Sequence, residues 1–141
     1  MTDEILELVR RLKGVVGDTH VLQTTDLTAG YCTDWTGRFR GQTPLVVRPA
    51  DTDQVAQAMT LLADAGLEIV PQGGNTGLVG GSVPLHGEAV LSTVRLTQCE
   101  PVDQLAQQVT VGAGVTLSLI HISEPTRPRL ISYSVFCVKK K

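Results

Sequence analysis

The chain has 141 residues, a formal net charge of −2 at pH 7 and 4% aromatic residues. This composition argues against nucleic-acid binding, which needs a basic face and gains from aromatic stacking. No apolar run reaches transmembrane length, and the acidic beginning resembles neither a signal peptide nor a transit peptide. Cys32, Cys99 and Cys137 are too widely spaced for a metal motif or a disulfide framework. We therefore expect free thiols and a cytoplasmic location.

The N-terminal residues predict a helix followed by an irregular polar segment. The apolar residues that recur at helical spacing are Ile5, Leu8, Val9, Leu12 and Val15 or Val16, and Thr2 or Asp3 can cap this helix. Residues 24–42 are polar and lack periodicity, and two interpretations of them stay open. They form either a surface loop whose Trp35 packs on the domain or a segment along a ligand cleft, with arginines near the ligand's phosphates.

Residues 44–93 alternate strand, helix and strand patterns, which is typical of an α/β fold. Apolar runs predict strands at residues 44–49, 67–70 and 88–93. Between the first two strands, a helix is predicted to begin at a cap formed by Asp51, Thr52 or Asp53 and to end at Gly66. The residues expected on the buried face of this helix are Val55, Met59, Leu62 and Ala63. We expect the two flanking strands to pair in parallel as a right-handed βαβ unit, giving a small parallel sheet with flanking helices.

The pattern changes after residue 97. Residues 99–102 and 108–111 predict two antiparallel strands joined by a turn at residues 103–106. This change predicts a first subdomain over residues 1–97 and the opening β-hairpin of a second subdomain over residues 98–116.

A glycine-rich loop follows the second predicted strand and reads PQGGNTGLVGGSVP from Pro71 to Pro84. Five glycines lie between Gly73 and Gly81, a density that helices and strands do not tolerate. Glycine-rich loops at the carboxyl end of a strand are common phosphate sites in α/β proteins.

Two familiar kinds of phosphate loop are excluded by the spacing. The Walker pattern needs a lysine after its last glycine, but no lysine occurs between Lys13 and Lys139. The GxGxxG spacing of dinucleotide-binding loops is also absent. What remains is a run of backbone N–H donors that could hold a pyrophosphate without cationic side chains. A plain flexible loop is the alternative.

The loop, with LVVRP before it and AVLSTVR after it, resembles the FAD-binding domain of the vanillyl-alcohol-oxidase/PCMH superfamily of flavoproteins. PQGGNTG, the upstream Asp34-Trp35 pair and the run from Leu91 to Arg95 are most similar to D-2-hydroxyacid dehydrogenases, and within them to the D-2-hydroxyglutarate dehydrogenase branch. The resemblance covers residues 1–116 and implies FAD as the cofactor. It implies that the residues binding FAD are Pro71, Gln72, Gly73, Gly74, Asn75, Thr76, Gly77, Gly80, Gly81 and Ser82.

The resemblance also implies a chemistry. A D-2-hydroxyacid would lose its Cα hydride to flavin N5 and its hydroxyl proton to a base, and so become a 2-oxoacid. A quinone or an electron-transfer flavoprotein would then accept the electrons. Relatives with covalent flavin carry His where Asn75 stands, so we expect non-covalent FAD; His86, in a later turn, is a poor substitute. The family's catalytic and metal-binding residues lie in a C-terminal domain, so we assign neither role to any residue here.

Two alternatives to this chemistry stay open. One is another FAD-linked oxidase of the superfamily, of glycolate, lactate or alditol type. The other is a non-catalytic fragment that binds FAD or a nucleotide. Since the family places FAD between two subdomains, we expect residues 1–116 alone to bind it weakly or not at all.

Residues 117–141 differ from the rest of the chain in charge. Residues 1–116 carry seven Lys and Arg against thirteen Asp and Glu, whereas residues 117–141 carry five against one. LSLIHISEPTR, from Leu117 to Arg127, resembles the translation of a sequencing-library adapter. We therefore expect residues 117–141 to be a translated adapter artefact. The alternative is a native tail of two short strands around a proline turn.

Overall fold

A computed structural model describes residues 3–116, so the tail predicted as adapter lies outside the described residues. Asp18–His20 and Ala29–Tyr31 form two short 3₁₀ turns. The helices and strands are α1 Asp3–Val16, β1 Val21–Leu22, α2 Thr25–Thr28, β2 Val46–Val47, α3 Thr52–Asp64, β3 Ile69–Gln72 and β4 Ala89–Ser92. None of the helices between residues 3 and 116 is long and apolar enough to cross a membrane.

The four strands form one mixed sheet in the order β1-β2-β4-β3. β1 runs antiparallel to β2, whereas β4 is parallel to both of its neighbours. The α/β prediction is confirmed, but the expected direct pairing of the strands around α3 is wrong, because β4 lies between β2 and β3. All four residues of β4 are buried. A strand that is apolar on both faces is most stable in the centre of a parallel sheet, which explains the inserted position.

The hydrophobic core lies on one face of the sheet, under α1 and α3. The predicted apolar stripe of α1 is confirmed, since Leu8, Val9, Leu12 and Val16 are all buried. They pack with inward residues of the strands and of α3 in a single cluster. Burial of apolar area at about 25 cal/mol per Å² makes this cluster the main stabilising contribution to the fold.

α3 begins and ends where the sequence predicts. The Asp51 carboxylate accepts a hydrogen bond of 2.8 Å from the backbone N–H of Gln54, which makes Asp51 the N-cap. Gly66 follows the last turn with φ of +68°, a left-handed conformation that ends many helices.

The buried face of α3 differs from the prediction in two residues. Ala58 and Leu62 are buried and Val55 is partly buried. Met59 is 45% exposed, and Ala63 is exposed too, so the prediction for these two is wrong. Each of them follows a buried residue by one position, which is a rotation of about 100° around the helix, away from α1.

The opposite face of the sheet lies away from α1 and α3. Side chains alternate along a strand, so Val46 and Val90 point away from the face whose core includes Val47 and Leu91. Gln72 and Ser92 are paired across β3 and β4 and share this second face. Residues 30–41, which we call the facing segment, cover it, as the contacts of Gln72 described below show.

The predicted hairpin after residue 97 is present as a ladder of isolated bridges. Cys99 pairs with Val111 and Asp103 with Gln108, both antiparallel. The Asp103 carboxylate accepts from the N–H groups of Leu105 and Ala106, which fixes the turn. The assignment of residues 1–97 and 98–116 to two subdomains stays a prediction.

Candidate functional site

The glycine-rich loop lies at the carboxyl edge of the parallel strands. We call residues 73–82 the glycine loop; it leaves β3 directly after Gln72. Thr93 follows β4 at the same edge, and a Cβ built on Gly73 would lie 3.7 Å from the Thr93 hydroxyl. Parallel strands direct their ligands to this edge of the sheet. The loop therefore occupies the position that its sequence predicts for a phosphate site.

The backbone of the glycine loop presents a run of free hydrogen-bond donors. No backbone N–H from Gly73 to Ser82 donates a hydrogen bond to another residue in the described part of the chain. The carbonyl of Gly80, by contrast, accepts from Val83 and closes the end of the loop. Successive unpaired N–H groups in a short loop are the arrangement that binds phosphate oxygens.

Four glycines of the loop are not required by the backbone conformation or by the packing of the described residues. Gly73, Gly74, Gly77 and Gly81 have no left-handed φ, and a Cβ on any of them would meet no heavy atom closer than 3.7 Å in the described residues. Glycine at these positions keeps the outer side of the backbone bare. A bare backbone with free N–H groups lets a ligand come within hydrogen-bond distance.

Gly80 is required for a different reason, which lies inside the protein. Its φ is +72°, and a Cβ on it would lie 2.6 to 2.9 Å from three ring carbons of Phe39. The Phe39 ring therefore packs directly on the loop backbone. Gly80 joins the loop to the facing segment rather than to a ligand.

The side chain of Gln72 is turned into the protein. Gln72 is only 2% exposed, and its Nε2 donates to the carbonyls of Tyr31 at 2.9 Å and Ser82 at 2.7 Å. Both of its N–H donors are therefore occupied. The resemblance implied contact between Gln72 and FAD, and this geometry favours a structural role for the side chain.

Asn75 makes a second set of internal hydrogen bonds. Its Nδ2 donates to the carbonyl of Thr33 at 2.7 Å, and its Oδ1 accepts from the Ser82 hydroxyl at 2.9 Å. Asn75 also has φ of +53°, a conformation that asparagine tolerates better than most residues. The side chains of Asn75 and Ser82 thus face each other across the loop, while their N–H groups stay free.

Pro71 lies within the edge strand β3 and is exposed. The carbonyls of Glu68 and Gln72 accept from β4, so alternate residues of β3 face β4 and the Pro71 nitrogen faces the open edge. A nitrogen without hydrogen prevents another strand from pairing there. The edge position thus gives a structural reason for Pro71 that involves no ligand.

The facing segment contains a compact turn built around Asp34. The Asp34 carboxylate accepts hydrogen bonds from the Thr36 hydroxyl and from the N–H groups of Thr36 and Phe39. The Thr36 hydroxyl, followed by these N–H groups, lowers the pKa of Asp34 despite its burial. This turn places Phe39 against Gly80. The expected packing of Trp35 on the domain is wrong, because its side chain is 75% exposed at the tip of the turn.

The facing segment therefore lies along the glycine loop, as the second interpretation of residues 24–42 required. Arg38 and Arg40 are exposed, and neither guanidinium donates a hydrogen bond to the loop in the described residues. Their expected position near phosphates stays a prediction.

Two further glycines, which the sequence interpretation did not assign to the site, approach the chain that follows β4. A Cβ on Gly114 would clash with the Thr93 carbonyl, and the Thr93 hydroxyl donates to the Ala113 carbonyl at 3.2 Å. A Cβ on Gly112 would clash with the Leu96 carbonyl. The signal for this approach was the GAG at residues 112–114, directly after the predicted hairpin.

Comparisons with known proteins identify the family. Residues 43–122 match the family described as FAD binding domain. A Danio rerio protein named as a mitochondrial D-2-hydroxyglutarate dehydrogenase is 38% identical over 100 residues, covering 70% of this chain and 19% of the relative. A Schizosaccharomyces pombe protein named as a mitochondrial D-lactate dehydrogenase is 42% identical over 84 residues, covering 60% and 16%. This chain thus spans less than one fifth of the length of either relative.

The fold agrees with that family. The solved structure of p-cresol methylhydroxylase with substrate bound has a TM-score of 0.77 at 17% identity, covering 89% of this chain and 25% of that one. The donors of the glycine loop suit FAD, whose pyrophosphate offers oxygen acceptors for N–H groups that the protein leaves unpaired. The chain therefore belongs to the FAD binding domain family, as its sequence predicted.

Proposed function

We propose that the glycine loop holds the pyrophosphate of FAD, bound non-covalently, in a dehydrogenase that oxidises a D-2-hydroxyacid to a 2-oxoacid. The observation that carries this proposal is the run of backbone N–H groups from Gly73 to Ser82 without an acceptor in the described residues. Of the residues that the resemblance implies, Gly73, Gly74, Thr76, Gly77 and Gly81 would offer only backbone to the phosphates.

Gln72, Asn75 and Ser82 would act from within the loop, because their side chains bond to each other or to the facing segment. Gly80 would fix the loop on Phe39, and Pro71 would protect the sheet edge. Asn75 lacks the nucleophilic ring nitrogen of a histidine, which supports a non-covalent complex.

The reaction belongs to the cofactor and to the hydroxyacid. FAD, when bound, accepts a hydride at N5 from the substrate Cα. The residues of this chain would orient the cofactor through its phosphates, and none of them is assigned a catalytic or metal-binding role. The names of the relatives support a small D-2-hydroxyacid as substrate. A quinone or an electron-transfer flavoprotein as acceptor is our further expectation.

The second candidate is another FAD-linked enzyme of the superfamily, whose substrate is not D-2-hydroxyglutarate; lactate is the favoured substrate in this case. The Schizosaccharomyces pombe relative named for D-lactate has the higher identity, although over a shorter stretch. Glycolate or alditol oxidation, and a fragment that binds FAD without catalysis, are weaker alternatives. The relatives named above are mitochondrial by name, whereas the sequence led us to expect a cytoplasmic protein; we keep the cytoplasmic location as a proposal.

A titration followed by ¹H–¹⁵N NMR tests the binding proposal even if affinity is only millimolar, which corresponds to about −4 kcal/mol. The ¹⁵N-labelled chain would be titrated separately with FAD, ADP and inorganic pyrophosphate. We expect the largest amide shifts between Gly73 and Ser82 with all three ligands, because they share the phosphate groups. Of the two expectations for residues 1–116, weak binding of FAD or none, the proposal commits to weak binding. Shifts confined to other residues, or no shifts at millimolar FAD, would therefore refute it.

We also propose that residues 117–141 are translated adapter, on the strength of the match from Leu117 to Arg127. The family match reaches residue 122 and so ends close to this boundary. Sequencing the genomic locus tests the proposal. An in-frame stop after Lys141 without adapter sequence would show that the tail is native.

A further inference from the structure

The side-chain amides of Gln72, directly before the glycine loop, and Asn75, within it, make hydrogen bonds inside the protein. Gln72 is buried, and each of its two N–H donors has a carbonyl partner within 2.9 Å. A side chain in this state has no donor left for a phosphate oxygen. If Gln72 affects cofactor binding, it must do so through the loop.

The hydrogen bonds of Gln72 join three separate parts of the chain. Ser82, at the far end of the loop, and Tyr31, in the facing segment, both accept from the same Nε2. Asn75, in the middle of the loop, bonds to the Ser82 hydroxyl and to Thr33. The beginning, middle and end of the loop are therefore fixed to one another and to the facing segment.

Such fixing matters most in a glycine-rich loop. Ordering one residue costs about 1 to 2 kcal/mol of conformational entropy, and glycine loses more than other residues. A loop that is already ordered before the ligand arrives does not lose that entropy on binding. The N–H groups of Gly73 and Gly77, which have no acceptor in the described residues, then form a fixed set of donors.

We propose that Gln72 is a positioning residue, which holds the glycine loop in its phosphate-binding shape without contacting the cofactor. This inference rests on the proposed function. It differs from the direct contact that the resemblance implied, and it names the carbonyls of Tyr31 and Ser82 as the groups through which Gln72 acts.

The test compares Gln72→Met with Gln57→Met in the complete 141-residue chain. Methionine has a similar volume but cannot donate to the two carbonyls, whereas Gln57 is exposed on α3 and serves as the matched control. Backbone ¹⁵N order parameters are measured first without ligand. We expect wild-type values near about 0.85 for the loop glycines, and values below about 0.6 in Gln72→Met, with α1 and α3 unchanged.

FAD is the ligand in the second measurement, which follows the amide shifts of the loop. We expect about tenfold weaker FAD binding for Gln72→Met and no change for Gln57→Met. A loop that stays as ordered in Gln72→Met as in the wild type would overturn the inference. An unchanged affinity for FAD would overturn it as well.

The experiment also distinguishes failure of the proposed function from failure of the inference about Gln72. If wild-type amides do not respond to FAD, the proposed function fails, while the order parameters still test the role of Gln72 in the ligand-free chain. If Gln72→Met does not fold, the side-chain NH₂ signals of Gln72 in the wild-type chain take its place, because its Nε2 donates to two carbonyls. Slow exchange of these protons with water supports the inference, and fast exchange contradicts it.

Discussion

Replacement of Gly80 by alanine tests the contact between the glycine loop and the facing segment. The new methyl group would lie 2.6 to 2.9 Å from Cγ, Cδ1 and Cδ2 of Phe39, far inside van der Waals contact. The backbone at Gly80 also has φ of +72°, which alanine adopts only with strain. Both effects act in the folded state, so Gly80→Ala should destabilise the protein.

The size of the effect follows from these two contributions. Left-handed backbone costs a non-glycine residue about 1 to 2 kcal/mol, and overpacking of a filled site costs about 1 to 3 kcal/mol. The reduced entropy of the unfolded alanine chain offsets about 0.4 to 1 kcal/mol. We therefore expect Gly80→Ala to lower the free energy of unfolding by about 1 to 5 kcal/mol.

Urea unfolding followed by circular dichroism measures this change, with Gly87→Ala as the matched control. Gly87 has φ of +89°, but no heavy atom among residues 3–116 would lie within 4 Å of its Cβ, so this variant carries the backbone strain alone. We expect it to lose about 1 kcal/mol. In a Phe39→Ala background the additional cost of Gly80→Ala should fall to the same level. Equal destabilisation by Gly80→Ala and Gly87→Ala in the wild-type background would refute the steric argument.

Two other substitutions separate ligand binding from stability. Gly81→Ala should change the free energy of unfolding by less than about 0.5 kcal/mol, because no atom of the described residues lies within 4 Å of its Cβ. The same variant should weaken FAD binding about tenfold in an NMR titration. Unchanged binding would contradict the argument that glycine at this position leaves room for the ligand. The Thr36 hydroxyl holds the pKa of Asp34 below its ordinary value of about 3.9, so its stabilisation is present above that pH and is lost as the pH falls through the folded-state pKa. Asp34→Asn should therefore lower the melting temperature most at neutral pH, and the difference from wild type should shrink towards pH 3; a difference independent of pH would contradict it.

The elements that periodicity could predict are those whose pattern is local. The apolar stripe of α1, the Asp51 cap and the Gly66 end of α3 each depend on residues within a few positions in sequence. Strand order depends on contacts between distant residues. The sequence therefore predicted a parallel βαβ unit but not the insertion of β4 between its two strands, for which the fully apolar character of Ala89–Leu91 was the available signal.

The glycine loop shows the same division between local and distant information. Its place after a strand and its lack of cations could be seen in the sequence. The roles of Gln72 and Asn75 could not, because their partners Tyr31 and Thr33 lie some forty residues earlier in an aperiodic segment. Trp35 was expected to pack because aromatic side chains are usually buried, whereas the Asp34 turn directs Phe39 inwards and leaves Trp35 outside.

The division of labour within the loop connects its composition to its use. Residues 73–82 contain no charged side chain, so attraction to a phosphate must come from backbone dipoles at fixed positions. Backbone donors cannot reorient as a lysine can, and their strength therefore depends on how well the loop holds its shape. The polar side chains of Gln72, Asn75 and Ser82 supply that shape by bonding inwards. The glycines leave the backbone accessible, and the side-chain amides hold it in shape. Both are needed in one site, and the loss of either should weaken the binding of a phosphate ligand.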